Sequence, residues 1–339
     1  MENSIFVKFP PQYIHYHKGV TYNMFESENV DPVLYSNLME QIKRVNMDWI
    51  ELRKSKTYKI GLVFCELTQY IKRLEVRKAI RAIQRWVNGR KIAKVKSIDN
   101  CAFPGSFVED VNPQRYFQKN RIAIYSAVFG DYDNILEPYI VPDNCDFYFF
   151  SDKEINHENS IWRKGILPDA INDLSNAEKN RYIKMHPHLI FPEYKYSIYV
   201  DGNVQIITDL TEYVNKMGGI GIATHIHNNR SCVFDELKAI VKSGKETREN
   251  VERHRNYLLK SGMPYNYGLL QCSVIVREHN NPMCISVMEA WWEEYLNYSK
   301  RDQISLPHVL FREGIKVQEV GVLGNNVYRN PSFRIGIHK

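Results

Sequence analysis

The chain has 339 residues, 44% of them hydrophobic and 25% charged, proportions ordinary for a soluble globular protein with a sizeable core. That length suits one large domain with an accessory segment, or two domains. A net charge of +6 is too mild to imply nucleic acid, and no run of about 18 apolar residues suggests a spanning helix.

The opening Met1-Glu-Asn-Ser-Ile-Phe-Val-Lys8 lacks the apolar stretch of a secretory signal. Cys65, Cys101, Cys145, Cys232, Cys272 and Cys284 are scattered, with no C-x-x-C pair for a zinc ribbon or a thioredoxin motif. Both features suit free thiols in a reducing compartment, so a cytoplasmic protein is expected.

Residues 1–118 carry helical patterns and little strand signal, which predicts a mainly helical, basic N-terminal region. Between Lys72 and Lys96 stand ten Lys or Arg against one acid, Glu75. Ile71, Leu74, Ile80, Ile83, Trp86 and Val87 fall there at roughly helical spacing. A basic amphipathic pattern can lie on an anionic membrane, each cation contributing on the order of 1 kcal/mol. A solvated helix face packed on the main domain is the plainer explanation. No nucleic-acid recognition motif accompanies the block. The expectations are peripheral contact at the inner membrane face and no nucleic acid.

Pro104-Gly105 and the polar stretch Glu109–Lys119 read as a linker. From there strand-like and helical runs alternate, so residues 119–339 are expected to form an α/β domain. Arg121–Phe129 and Asp146–Phe150 read as buried strands, the first followed by the loop Gly130-Asp-Tyr-Asp133. Ser175-Asn-Ala-Glu178 fits a capping box and starts a helix that Pro187 must stop. Tyr196–Val200 is a further strand. Gly244 and Gly262 predict the ends of helices over about 235–243 and 247–261. Gly268–Val276 is again strand-like, Asn281-Pro282 opens a helix, and Ser299-Lys-Arg-Asp302 predicts another beginning near Lys300.

The run Tyr196-Ser-Ile-Tyr-Val-Asp201-Gly-Asn203 is the most informative. In open α/β sheets ligands sit beyond the carboxyl ends of strands. Two oxygen ligands spaced i, i+2 there can hold a divalent cation, and through it a diphosphate. Asp-Gly-Asn is also an ordinary turn. Arg181 and Lys184, three apart on the preceding helix, share a face with Asn180, and cations of this kind stabilise charge on a phosphate leaving group. Each of these could equally be an exposed helix face. His186-Pro-His188 and His225-Ile-His227 invite a zinc reading, but zinc needs three or four ligands. His188 is expected to cap the segment before the strand, and Trp291 and Trp292 to pack helices.

Asn180-Arg-Tyr-Ile-Lys-Met-His-Pro-His188, Tyr199-Val-Asp-Gly-Asn203, Arg277-Glu-His-Asn280, Arg301-Asp-Gln-Ile-Ser305 and the opening Ile124–Asp133 together resemble the mucilage-related and turgor-defect (MUCI/TOD) glycosyltransferase-like family and its bacterial relatives. The likeness spans about residues 120–315. More distantly, the layout is similar to family-eight retaining glycosyltransferases. The resemblance implies a GT-A fold, a Rossmann-like α/β/α sandwich, taking a nucleotide sugar, UDP-linked in the first instance. It implies Ala127, Phe129 and Asp131 along the nucleotide, Asp152 near base or ribose, and Asn180, Arg181, Lys184 and Gly202 around the donor. Asp302 and Gln303 would face the transferred sugar. Asp201, Asn203 and His338 would hold Mn2+ or Mg2+, although Asn203 stands where the family has a second carboxylate, and an amide is the weaker ligand. His225, His227 and Arg230 are expected at the acceptor or sugar pocket.

The expected activity is transfer of a hexose-type sugar to a glycan or lipid-linked acceptor in surface polysaccharide assembly, with retention. If the reaction inverts, a carboxylate must serve as base, and Asp302 is the candidate. The alternatives are a degenerate sugar-nucleotide-binding protein and a membrane-surface binding module.

Overall fold

The computed structural model describes residues 6–7, 32–61, 120–154, 160–227, 229–242, 244, 246–298 and 300–336. The block 72–96, Cys65, Cys101 and His338 lie outside them. The chain divides into two compact units, residues 1–43 with 112–339, and residues 44–111.

In the larger unit the strands are β1 (Phe6–Val7), β2 (Ile122–Ala127), β3 (Ile140–Val141), β4 (Cys145–Phe150), β5 (Arg163–Lys164), β6 (Tyr196–Val200), β7 (Val204–Ile206), β8 (Ile222–Ile226), β9 (Leu270–Arg277), β10 (Gly321–Val322) and β11 (Phe333–Ile335). The helices are the first part of α1 (Pro32–Lys54), then α2 (Asn176–Met185), α3 (Pro187–Ile190), α4 (Val233–Lys242), α5 (Arg248–Lys260), α6 (Pro282–Asn297) and α7 (Asp302–Arg312). Seven strands form one sheet in the order β10-β8-β9-β6-β2-β4-β5. β9 runs antiparallel to both its neighbours, and the other pairs are parallel. The carboxyl ends of β2, β4, β6 and β8 therefore share one edge. This is the α/β class that the alternating pattern predicts.

Both faces of the sheet are covered, which is why its strands read as continuous apolar runs. On β2, Ala123, Tyr125 and Ala127 enter one core with α2, α6 and α7, while Ile122 and Ile124 enter the other with Tyr213, Val214 and Phe333. Trp291 is fully buried and its indole N–H donates to Ser305 Oγ at 2.8 Å. Trp292 packs edge-on against Tyr182 and His186, so both tryptophans are packing residues, as expected. The first part of α1 docks through Tyr35, whose hydroxyl donates to buried Asp209, and Lys43, which pairs with buried Glu212 at 2.8 Å.

The caps follow the sequence closely. Ser175 and Glu178 form the capping box of α2, and the helix ends one residue before His186-Pro187. Asn281 caps α6 with Pro282 in its first turn. Gly244 and Gly262 follow α4 and α5 with φ of +68° and +80°. The start of α7 differs from expectation: its N-cap is Arg301, with no side-chain cap, and Asp302 is the first helical residue. The physical reason is that the Asp302 carboxylate is engaged elsewhere.

In the smaller unit the described residues continue α1, where Arg53 lies over the Trp49 ring and Lys54 pairs with Glu51. Among the described residues no helix is long and apolar enough to cross a membrane. Cys145, Cys232, Cys272 and Cys284 are free and buried.

Candidate active site

Helix α2 brings its polar face to the carboxyl edge of the sheet. Asn180 donates to the Ala127 carbonyl at the end of β2, at 2.5 Å, which anchors the helix to the strand. One and four residues later, Arg181 and Lys184 converge on Asp302 at the start of α7. Arg181 Nε lies 2.8 Å from Oδ1, and Lys184 Nζ lies 2.6 Å from Oδ2. Lys184 also reaches Asp201 Oδ1 at 3.5 Å and lies over the Tyr199 ring. Two helices and the end of one strand, β6, thus meet in one ionic cluster.

Exposure separates the roles. The Lys184 side chain is 1% exposed and stands behind both carboxylates. The side chains of Arg181 and Asp201 are 27% and 31% exposed and face solvent. Burial alone would raise the pKa of Asp302, but the charges of Arg181 and Lys184 outweigh it and hold the carboxyl at about 2. For Arg181 burial works in the opposite sense, and Asp302 more than offsets it, so the guanidinium is held charged. A carboxylate so pinned is a weak proton acceptor.

The other predicted donor residues are distributed around this cluster. Gly130 N–H donates to both oxygens of Asp152, at 3.2 and 3.1 Å, closing the loop after β2 onto the loop after β4. Asp131 has φ of +58° and pairs with Lys153 at 2.8 Å. Ala127 and Phe129 have their side chains in the core, so any contact they make to a ligand is through the backbone. At Gly202 an added Cβ would stand 2.3 Å from Val128 Cγ2 and 3.5 Å from Asp133 Oδ2. Only glycine lets the turn after β6 lie against the loop after β2. That approach also brings Asp133 beside the Asp201 turn, a neighbour the sequence does not signal. Gln303 follows Asp302 on the first turn of α7, half-buried.

The histidines divide. His225 is wholly buried; its Nε2 meets the Asn330 amide at 2.9 Å and burial lowers its pKa to about 3. It is an interior residue and lines no open pocket. His227 and Arg230 gather on Glu236 of α4, past the carboxyl end of β8. His186 stacks on Tyr182 and shares its carbonyl. His188 pairs with Glu289 of α6 at 2.8 Å, so it braces α3 against α6 and is not a cap. Among the described residues no three His, Cys, Asp or Glu side chains are grouped to hold a metal ion, which removes the zinc reading for them.

For a hard divalent cation the donor chemistry at the sheet edge fits in kind. Asp201 offers a partly exposed carboxylate, 3.5 Å from the Lys184 ammonium and within the electrostatic reach of Arg181, and Asn203 follows two residues on. The third expected ligand, His338, lies outside the described residues. Within the cluster Arg181 and Lys184 stand against Asp201 and Asp302.

Residues 95–330 match the TOD1/MUCI70, glycosyltransferase-like domain. The chain belongs to that family. Two relatives from Arabidopsis thaliana are similar to it: the probable hexosyltransferase MUCI70, 24% identical over 56% of this chain and 37% of its own length, and the alkaline ceramidase TOD1, 24% identical over 53% of this chain and 46% of its own. The chain thus spans less than half the length of these curated relatives. Among solved structures, the bifunctional glycosyltransferase WbbM is 12% identical with a TM-score of 0.40, over 61% of this chain and 39% of its own. The galactosyltransferase LgtC, solved with donor and acceptor sugar analogues, is 13% identical with a TM-score of 0.34, over 57% of this chain and 72% of its own.

Proposed function

We propose that the protein transfers a sugar from a nucleoside diphosphate, UDP in the first instance, to a glycan or lipid-linked acceptor. The observation that carries this reading is the Arg181–Asp302–Lys184–Asp201 cluster at the carboxyl edge of the sheet. A partly exposed guanidinium beside a partly exposed carboxylate, braced from behind by a buried ammonium, suits an anionic leaving group and the sugar attached to it. The hexosyltransferase named among the relatives has the same reaction class.

In the transfer, the bond between the anomeric carbon and the diphosphate oxygen breaks, and a bond to the acceptor oxygen forms. Arg181 faces the departing diphosphate and offsets its growing charge. Lys184 fixes Asp201 and Asp302 in orientation. With Asp302 pinned as a counter-ion, the proton of the acceptor hydroxyl passes most simply to the leaving diphosphate. This supports retention, which needs no protein base. The same pinning argues against Asp302 as the base of an inverting reaction. Mn2+ or Mg2+ at Asp201 and Asn203, when bound, would supply positive charge to the diphosphate. We further propose a role in surface polysaccharide assembly at the inner membrane face, supported by the basic block 72–96.

Incubation of the purified protein with a panel of sugar nucleotides, with and without manganese, tests the reading. Release of nucleoside diphosphate that is lost in Asp201→Ala is the expected result. Ceramide hydrolysis with no sugar-nucleotide turnover would instead assign this chain the activity named for TOD1. Uridine diphosphate binding without turnover would mark a degenerate site.

A further inference from the structure

Arg277, the last residue of β9, is a fully buried guanidinium, and no carboxylate pairs with it among the described residues. A buried charge without a counter-ion is costly. Its contacts show how that cost is offset. Nη1 donates to the Lys184 carbonyl at 2.6 Å, and Nη2 donates to the Tyr125 hydroxyl at 2.5 Å. Tyr125 in turn donates to the same Lys184 carbonyl at 3.2 Å. The Tyr125 ring lies beneath the guanidinium, 5.8 Å from centroid to Cζ, and Met288 Sδ accepts at 3.3 Å. Nε is buried without a partner.

The Lys184 carbonyl is among the last of α2, where a helix presents partial negative charge. The cation is therefore paid in carbonyl dipole, ring face and hydroxyl, at the residue whose side chain holds Asp302 and Asp201. Replacing Arg277 by an apolar residue would satisfy the core more cheaply. We propose that Arg277, with Tyr125 as its bridge, is a positioning residue for the candidate active site: it fixes the backbone of Lys184 so that the ammonium meets both carboxylates. The inference rests on the glycosyltransferase reading for its effect on turnover, and on geometry alone for its effect on Lys184.

The test is a double-mutant cycle in the full chain between Arg277→Met and Lys184→Met, read by donor turnover and by thermal unfolding. Arg277→Met should lower kcat tenfold or more with KM for the sugar nucleotide within about threefold, and should have little further effect in the Lys184→Met background, because both act through one group. Tyr125→Phe, which removes only the bridging hydroxyl, should show a smaller loss of the same kind and keeps the inference testable if Arg277→Met does not fold. The Tm shifts should likewise be non-additive. An unchanged kcat in a folded Arg277 variant, an equal loss in the Lys184→Met background, or additive Tm shifts would each overturn the positioning role. Absence of turnover in the wild-type protein would instead count against the glycosyltransferase reading, and the unfolding cycle would then decide the positioning role.

Discussion

The Lys184 ammonium lies 2.6 Å from Oδ2 of Asp302, joining residues 118 apart in the chain. Both side chains are almost wholly buried, at 1% and 6% exposure. Removing one partner of such a pair leaves an uncompensated charge, which costs roughly 3 kcal/mol or more. Asp302→Ala should therefore destabilise the protein by that order in denaturant unfolding and abolish turnover, while Asp302→Asn should retain more stability than Asp302→Ala and remain inactive. Equal stability of Asp302→Ala and the wild type would show that the cluster is not structural.

Acid should expose the same pairing. The folded pKa of Asp302, about 2, lies below the ordinary 3.8. A depressed carboxylate contributes stability above the ordinary value and loses it as pH falls through the folded one. Asp302→Asn should thus flatten the pH dependence of Tm between about 4 and 2, as read by scanning calorimetry.

Buried neutral histidines act in a neighbouring window. His225 is lowered to about 3, and His254 and His279 to about 4, each chiefly by burial. Their folded pKa values lie below the ordinary 6.5, so the unfolded chain binds more protons between those limits and stability falls as pH drops below about 6.5. Each group contributes a slope of up to about 1.4 kcal/mol per pH unit. His225→Asn should reduce that slope between pH 6 and 4, even if it lowers stability at neutral pH.

Gly202→Ala should act locally. The new methyl would meet Val128 at 2.3 Å, so the turn carrying Asp201 must shift, at a cost of about 1–3 kcal/mol. Calorimetric titration with uridine diphosphate should show affinity falling at least tenfold in a variant that remains folded.

For the basic block, sedimentation with anionic vesicles should retain the wild-type protein and release a variant lacking residues 72–96. Equal sedimentation of the two would remove the block as an anchor. The attraction should weaken as salt rises.

Much of the fold is legible in the sequence because its signals are local. The Ser175 box, the Asn281-Pro282 start and the glycines after α4 and α5 each satisfy backbone groups within one turn, and the structure forms them where expected. The start of α7 is not legible in this way. Asp302 reads as a dipole-favoured first-turn residue, yet its partners lie on a helix more than a hundred residues earlier. The adjacency of Arg181, Lys184 and Asp201 can be inferred from helix spacing and strand ends. The retreat of Lys184 behind the carboxylates cannot, because burial of one residue on a shared helix face depends on what packs over it. His225 misleads for the same reason: a histidine after a strand-like run suggests a pocket, and the sheet buries it. Arg277 does carry a signal in the sequence, a charge closing a mostly apolar eight-residue strand.

The most direct test of the central claim is a crystal structure of the protein soaked with manganese and a uridine diphosphate sugar. The account predicts the diphosphate at the carboxyl edge of the sheet, within hydrogen-bonding distance of Arg181 and beside Asp201, with the sugar toward Asp302. A nucleotide bound elsewhere, with the Arg181–Asp302–Lys184 cluster untouched, would contradict it.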